Sequence, residues 1–347
     1  MRKILIIGFV ALLSIVLVYG FSDAGVTGRC DNCHTMHYSQ NGGVLTTWGA
    51  TGPYGALLIN DCLGCHSNTT DQVTILTPSG SRIPIVWNTT AYPVGAKGTT
   101  TAPLAGGNFY SNTVDANVHN VISTDPDGAL SNTPPGTTVA LGSQLTCAGQ
   151  VGCHGDRSQS TNYAAVRNAH HDNVTGTCDG TTVAKSFRWL NGITGVEDSD
   201  WEQSANSTDH NGYKGSTDFT TASTISSLCG QCHGNTGAGG FHSALGTGGP
   251  PSPWERHPTD VVLTASGGGS TFVTDYTIYN IQTPVAFATP STSTSAVDLN
   301  SIVICLSCHA AHGTDEPDIL RWEYNTMNAG QGASSGTGCL RCHQRQR

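Results

Sequence analysis

The chain has 347 residues, formally enough for two domains, but its composition is not that of an ordinary globular enzyme. It contains 43 Gly and only 11% charged and 7% aromatic residues, so its side chains offer little volume for a core. The net charge of −9 disfavours nucleic-acid binding. Either part of the chain is disordered or a large apolar group fills the core.

The first element is a predicted signal peptide over residues 1–20. Arg2 and Lys3 form a positively charged start, and an apolar segment extends from Ile4 to Tyr19. Small residues precede Phe21 at the positions that a signal peptidase requires, which predicts a mature chain that begins there. An uncleaved anchor is the alternative, although the apolar segment is short for a membrane span. We expect a secreted protein, exported through the periplasm to the extracellular space or outer surface, with no stable membrane insertion.

Five segments have the spacing C-x-x-C-H, the attachment motif of c-type haem. Two thiols three positions apart reach the two vinyl groups of one haem, and the following His binds the iron as the proximal ligand. A disulfide scaffold and structural zinc are the alternatives, but neither requires a His directly after each cysteine pair. The five motifs are Cys30-Cys33-His34, Cys62-Cys65-His66, Cys229-Cys232-His233, Cys305-Cys308-His309 and Cys339-Cys342-His343.

A sixth motif is irregular, because five residues separate Cys147 from Cys153, which His154 follows. Two glycines in the spacer allow it to bulge while both thiols reach one haem. Alternatively, Cys147 forms a disulfide with Cys178 and the haem is attached through Cys153 alone. We favour two thioethers, which leaves Cys178 as a free thiol or in an intermolecular bridge. With this motif as site 3 in chain order, the predicted cofactors are six haem c at sites 1 to 6.

Eight histidines remain as candidate distal ligands. The chain has only three Met, one of which leaves with the signal, so bis-His ligation of all six irons is the economical prediction. Eight candidates exceed six positions, so at least two are expected to have another role, such as a hydrogen bond to a propionate or to a proximal imidazole. The candidates, strongest first, are His37, His312, His119, His257, His170, His171, His242 and His210.

Position along the chain ranks these candidates. His37 and His312 each follow a proximal His at i+3, so each must serve a different haem from its neighbour, or none. The adjacent His170 and His171 can reach two different irons; the alternative is one ligand and one surface His. His257 is restricted by the Pro that follows it, and His119 is isolated in a long stretch without Cys. His210 and His242, among Gly, Asn and Ser, are the weakest.

The motifs cluster as two, one, one and two along the chain. Between them lie spacers rich in Gly, Thr, Ser, Pro and Asn, at 67–146, 155–228 and 234–304. We predict a single hexahaem domain over 21–347 with a multihaem cytochrome c fold: mostly coil, short helices, little β-structure and a haem-stacked core. Alternating apolar stretches from Val261 to Phe287 predict two or three strands, and Asp318 to Met327 predicts a short helix.

Four segments resemble the OmcS-like family, the hexahaem nanowire cytochromes of metal-reducing bacteria. The resemblance is carried by Gly25–His37, Val118–Val121, Arg256–Pro258 and Cys305–His312. It implies bis-His ligation of every haem and head-to-tail polymerisation into filaments with one continuous haem chain. It also implies that His37 crosses to the site 5 haem of the next subunit. Site 3 departs from the family pattern, having a longer spacer and no His at i+3, and His170 or His171 would then supply its distal ligand.

These observations predict an electron-transfer protein rather than an enzyme. The leading hypothesis is a filament subunit, since head-to-tail contacts that do not close propagate; the alternative is a monomeric carrier. The predicted partners are copies of the same chain, redox partner cytochromes and extracellular acceptors. A multihaem oxyanion reductase would need a five-coordinate haem, often marked by a Lys in place of the proximal His, whereas every site here ends in His. A porin-embedded conduit would need a stable outer-membrane partner, of which no sign is present.

Overall fold

The computed structural model describes residues 26, 28–40, 43–44, 54–70, 73–76, 82–100, 102–110, 115–121, 133–137, 139–172, 176–218, 220–234, 257–263, 276–328 and 338–343. The predicted signal peptide and the segment that carries His242 lie outside these residues. Within the described ranges, no helix has the length and apolar character needed to cross a bilayer.

Helices in the described residues are short. The α-helices are α1 (Cys62–His66), α2 (Asn162–Ala165) and α3 (Ile225–His233). Single 3-10 turns occur at Cys30–Asn32, Gly55–Leu57, Asp115–Asn117, Ala169–His171, Phe187–Trp189, Cys305–Ser307, Pro317–Ile319, Tyr324–Thr326 and Gly338–Arg341.

Strands have two or three residues each. They are β1 (Ser39–Gln40), β2 (Gly43–Val44), β3 (Ser67–Asn68), β4 (Thr74–Leu76), β5 (Arg82–Pro84), β6 (Trp87–Asn88), β7 (Thr146–Ala148), β8 (Gly152–His154), β9 (Thr177–Cys178), β10 (Gly195–Val196), β11 (Gly212–Tyr213), β12 (Val261–Val262) and β13 (Ile302–Val303). β9, β10 and β11 form an antiparallel sheet with β10 in the centre. The pairs β1–β2, β4–β5 and β12–β13 are antiparallel, whereas β3–β6 and β7–β8 are parallel. The predicted fold of coil with short helices and little β-structure is confirmed.

One local prediction is wrong, and a second is tested only in part because residues 264–275 lie outside the described structure. The helix expected over 318–327 is replaced by two 3-10 turns, because Asp318 and Ile319 adopt the left-handed conformation, with φ of 60° and 51°, and this breaks a right-handed helix. Between Val261 and Phe287, the only strand in the described residues is β12, which pairs with β13. The described residues 276–287 contribute isolated bridges instead, such as Ala286 with Ile302.

The side-chain core is built from the spacers that the sequence assigns to loops. One buried cluster contains Cys178, Phe187, Ile193, Tyr213, Ile225, Ala286, Ile302, Ile304 and Leu306. A second contains Leu263, Tyr276, Tyr279, Val285, Val297 and Val303. Cys229 packs against the first cluster and Cys342 against the second, so the apolar core supports sites 4 and 6 directly.

Candidate haem sites

Each C-x-x-C-H motif forms a helical turn. At site 1 the backbone N–H of His34 donates to the carbonyl of Cys30 over 2.8 Å, and the same bond closes sites 5 and 6. Site 2 lies in α1, where the Asp61 side chain caps the helix by accepting the N–H of Gly64 over 2.8 Å. Site 4 occupies the end of α3. A helical turn puts residues three and four apart on one face, so both thiols and the imidazole are available to a single ligand.

At site 3 the irregular spacing is absorbed by a bulge between two strands. β7 and β8 pair in parallel, with Thr146 opposite Gly152 and Ala148 opposite His154, so Cys147 lies opposite Cys153. Neighbouring strands are about 5 Å apart, which brings the two thiols side by side. A residue with a side chain does not fit at position 152, because a Cβ on Gly152 would lie 2.5 Å from the backbone of Ala148. The longer spacer therefore presents its cysteine pair as the other sites do.

Cys178 is separated from this arrangement. It is buried in the first core cluster, its Sγ lies 3.9 Å from the carbonyl of Gly176, and burial raises its pKa to about 12. Cys147 lies beside Cys62 instead. No disulfide links any of the 13 cysteines, which disfavours the alternative of a Cys147–Cys178 bridge.

A single cavity of about 2710 Å³ runs past the first five sites. Small-molecule pockets are typically about 300–1,000 Å³, so this cavity suits several large ligands rather than one. Its wall is largely apolar between the thiols and imidazoles, as a haem-sized apolar ring requires. The lining includes Cys33, Cys62, Cys65, Cys147, Cys153, Cys229, Cys232, Cys305 and Cys308, together with the proximal His of each of these five sites.

Ten histidines are arranged in five pairs. In each pair a proximal His faces a candidate distal His from elsewhere in the chain. Two imidazoles that bind one metal through bonds of about 2 Å have ring centroids about 6 Å apart. The observed centroid distances are 5.9 Å for His34–His171, 6.5 Å for His66–His170, 6.2 Å for His154–His312, 5.9 Å for His233–His119 and 6.0 Å for His343–His257. The spacing fits one iron between the members of each pair.

The expectation that His170 or His171 completes site 3 is wrong. These two residues end a 3-10 turn and diverge towards His66 and His34, and the ring of His170 also packs edge-on against Trp189 at 4.4 Å. His312 lies beside the site 3 histidine instead, because its backbone N–H is held by the carbonyl of Gly106 over 2.7 Å. His312 lies 158 residues after His154 in the chain, so the local spacing of residues does not indicate that the two rings meet.

Hydrogen bonds to backbone carbonyls orient five of the six proximal rings. A carbonyl can only accept, so each Nδ1 donates and Nε2 is left with the lone pair that a metal needs. The acceptors, found only in the folded structure, are Ala56 for His34 at 3.0 Å, Pro84 for His66 at 2.8 Å, Arg188 for His154 at 2.9 Å, Pro135 for His233 at 3.0 Å and Asp318 for His309 at 2.8 Å. Among the distal candidates, His119 donates to Ala311 and His257 to Pro258.

Burial keeps five of the paired imidazoles in the neutral form that binds metals. It lowers the pKa of His312 to about 3 and that of His170 to about 4. Burial also lowers the pKa of His66, His119 and His154. Neutral rings with a free Nε2 can act as axial ligands without first losing a proton.

Thiols of successive sites lie close together in chain order. The thiols of Cys62 and Cys147 lie close enough to interact, as do those of Cys229 and Cys305, which places site 2 beside site 3 and site 4 beside site 5. Cys33 also lies near Cys65, Cys153 near Cys232, and Cys308 near Cys342. The six sites therefore form one series along the molecule, an order that the motif positions alone do not determine.

Three candidate ligands stand outside the five pairs. His37 is exposed, and in the described part of the chain the ring of His309 contacts no second imidazole. His210 is fully buried, with Nδ1 2.9 Å from the carbonyl of Asn211, Nε2 3.1 Å from that of Thr294, and its ring stacked on Tyr279. Each ring nitrogen of His210 faces a backbone carbonyl, so neither is directed at a metal position. His242 lies outside the described residues.

Comparison with known proteins identifies the C-terminal segment. Residues 301–347 match the family model described as a doubled CXXCH motif, which covers sites 5 and 6. This match confirms the prediction of paired attachment motifs at sites 5 and 6. No curated protein sequence matches the chain at a significant level.

Two solved structures are similar to this chain. One is an outer membrane cytochrome S filament from Geobacter sulfurreducens, with 18% identity, a TM-score of 0.49, and coverage of 88% of this chain and 85% of the other. The second is a cryo-EM structure of OmcS nanowires from the same organism, with 19% identity, a TM-score of 0.45, and coverage of 86% and 84%. Likeness at this level does not establish a shared assembly, so assembly must be argued from the residues of this chain.

Proposed function

We propose that this protein transfers electrons through a series of six covalently attached bis-His haem c groups and polymerises through the fifth. The observation that carries the proposal is the set of five histidine pairs at about 6 Å, which among the described residues leaves His309 without a facing imidazole and His37 exposed. The proposal covers residues 21–347 as one domain, with residues 1–20 as a cleaved signal and the mature protein extracellular.

In this proposal twelve cysteines and six proximal histidines hold the haems. Haem iron supplies one-electron chemistry by cycling between its ferric and ferrous states. The chain's own part is to fix both axial imidazoles, to orient the proximal rings through backbone carbonyls and to hold successive sites in contact. Six-coordinate irons leave no position for a substrate, which favours a carrier over an oxyanion reductase. The proposed electron donors and acceptors are partner cytochromes or extracellular oxidants.

His37 has the geometry of a ligand offered to another molecule. It lies at the tip of a tight turn from Met36 to Ser39, where His37 and Tyr38 have φ of 54° and 58°. Left-handed backbone at residues other than Gly is costly and persists where the surrounding structure and function require it. The ring is exposed, and the proximal His309 belongs to site 5, next to the far end of the series that begins at site 1. A copy that contributes His37 to the next copy's His309 generates a head-to-tail polymer.

The His37→Ala variant tests this assembly, with His242→Ala as the matched control. The mass of the mature wild-type protein first reports the number of haems, and we expect six. In His37→Ala we expect one haem of the six to become five-coordinate and to bind CO in the ferrous state, and filaments to be absent from electron micrographs. Free imidazole should restore the six-coordinate spectrum but not the filaments, because it replaces the ligand without joining two subunits.

The control identifies the competing ligand. We expect His242→Ala to form filaments with an unchanged spectrum. If His242→Ala gains a CO-binding haem and His37→Ala does not, the fifth site is completed within one chain and the polymer proposal is wrong. A mass that corresponds to five haems would mean that one site is empty, and the double substitution Cys147→Ser with Cys153→Ser would identify it as site 3 if the number of haems stayed at five.

A further inference from the structure

Three tight turns in the described structure share an unusual backbone. They run from Gly55 to Leu58, from Phe187 to Leu190 and from Pro317 to Leu320, and in each the last N–H donates to the first carbonyl. Both central residues are left-handed in every case, which defines a type I′ turn. The central φ values are 56° and 59° at Ala56-Leu57, 49° and 57° at Arg188-Trp189, and 60° and 51° at Asp318-Ile319.

The residue types are the wrong ones for this conformation. Type I′ turns strongly prefer Asn-Gly or Asp-Gly, because a Cβ is crowded at positive φ. None of the three turns contains Gly at a central position, and Ile319 is β-branched. A strained backbone that recurs three times indicates that something outside the turn requires it.

Each turn makes the same two hydrogen bonds to an attachment site. The carbonyl of the first left-handed residue accepts Nδ1–H from the proximal His of site 1, 3 or 5. The second carbonyl accepts the backbone N–H of the residue directly after that His: Thr35 to Leu57 at 2.7 Å, Gly155 to Trp189 at 2.7 Å and Ala310 to Ile319 at 2.9 Å. A Leu then follows each turn and lines the cavity, at 58, 190 and 320.

The proximal rings of sites 2 and 4 are oriented by carbonyls of a different kind. His66 at site 2 and His233 at site 4 donate to the carbonyls of Pro84 and Pro135, which belong to no such turn. Type I′ geometry also occurs at His37-Tyr38 and at Trp201-Glu202, neither of which receives a proximal ring. The double hydrogen bond to a proximal His and its neighbour is therefore what the three turns have in common.

We infer that these turns are positioning elements for the axial ligands of the odd-numbered sites, with the carbonyls of Ala56, Arg188 and Asp318 as the acting groups. The inference rests on the proposed function, since it assumes haem at those sites. A carbonyl that accepts Nδ1–H fixes the rotation of the ring and increases its basicity, and a more basic ligand favours ferric iron. Each turn thereby lowers the reduction potential of its own site.

The turn at site 1 allows a clean test, because the side chains of Ala56 and Leu57 are exposed. The double substitution Ala56→Gly with Leu57→Ser favours a type II′ turn, which keeps the chain reversal but flips the central peptide. The carbonyl of residue 56 then points away from His34. The matched double substitution Ala56→Asn with Leu57→Gly favours the type I′ turn and retains the carbonyl direction.

Potentiometric titration and the electron paramagnetic resonance of the ferric haems report the outcome. We expect the Gly-Ser variant to move one of the six one-electron midpoints to higher potential and to change the g-values of one low-spin species. The Asn-Gly variant should recover the wild-type values. Unchanged midpoints in the Gly-Ser variant, or equal shifts in both variants, would overturn the inference.

Haem content separates this inference from the proposed function. Wild-type protein without haem at Cys30 and Cys33 would remove the proposed function at that site, whereas full haem content with unmoved midpoints removes only the positioning role. If the Gly-Ser variant does not fold, the same pair of exchanges at Asp318 and Ile319 addresses site 5, with the same expected direction and the same outcome that would overturn it.

Discussion

The first and last pairs of sites share their motifs but differ in how their irons are completed. At sites 1 and 2 both distal candidates come from one dipeptide, His170-His171, so a single 3-10 turn ties two sites to the middle of the chain. At sites 5 and 6, His343 faces His257, while His309 faces no second imidazole in the described residues. Under the proposed function this difference matters for assembly, because a pair of sites whose ligands all come from one chain stabilises that chain, whereas a site without its own distal ligand can accept one from another copy.

The largest expected effect comes from removing the shared dipeptide. In His170→Ala with His171→Ala we expect two of the six haems to become five-coordinate, because each ring faces a different proximal His. Filaments should persist, because neither His37 nor His309 changes. CO binding to the ferrous protein and electron micrographs measure the two results.

The single variants supply the control for that experiment. Each should create one CO-binding haem. If only one of them does, the dipeptide contains one ligand and one other His, as the sequence alternative allows. Loss of filaments in the double variant would show that the closed pair also supports assembly, and the contrast between the two ends would not hold.

A smaller effect is expected from His210→Ala, which tests whether a histidine outside the five pairs is a ligand. The contrast between the first and last pairs of sites holds only if the paired rings alone are ligands. His210→Ala should leave the low-spin spectrum and CO binding unchanged but lower the free energy of unfolding by about 1–3 kcal/mol, because a buried hydrogen bond to a backbone carbonyl and the stack on Tyr279 are lost. Chemical denaturation measures this loss; a new high-spin signal would identify His210 as a ligand.

The smallest effect compares the turns at the two ends. The left-handed residue before the cavity-lining Leu is Leu57 at site 1 and Ile319 at site 5. β-Branching adds strain at positive φ, so Ile319→Leu should raise the free energy of unfolding and Leu57→Ile should lower it, each by about 1 kcal/mol. If chemical denaturation showed that both variants change the free energy of unfolding in the same direction, this account of the turns would be contradicted.

The coarse fold was predictable from composition. A chain with so much Gly and so few aromatic side chains cannot form long packed helices or wide sheets, and the described structure has neither. The helix predicted at 318–327 failed because a periodic pattern does not reveal a left-handed pair such as Asp318-Ile319, which a tertiary hydrogen bond to His309 holds in place. The role of His170 and His171 at site 3 failed because a ring's direction depends on where its turn docks.

The sequence by itself determined the attachment chemistry, because two thiols and an imidazole within five residues act through one local turn. From the irregular spacing of Cys147 and Cys153, the sequence indicated two thioethers to one haem as one of two alternatives. The register of β7 and β8 then brings the two cysteines side by side. Tertiary structure alone decided which imidazoles face each other, because partners such as His154 and His312 are far apart in the chain and meet only when both spacers have folded. It also decided that His37 is exposed, which is the physical basis for assigning its partner to another copy of the chain.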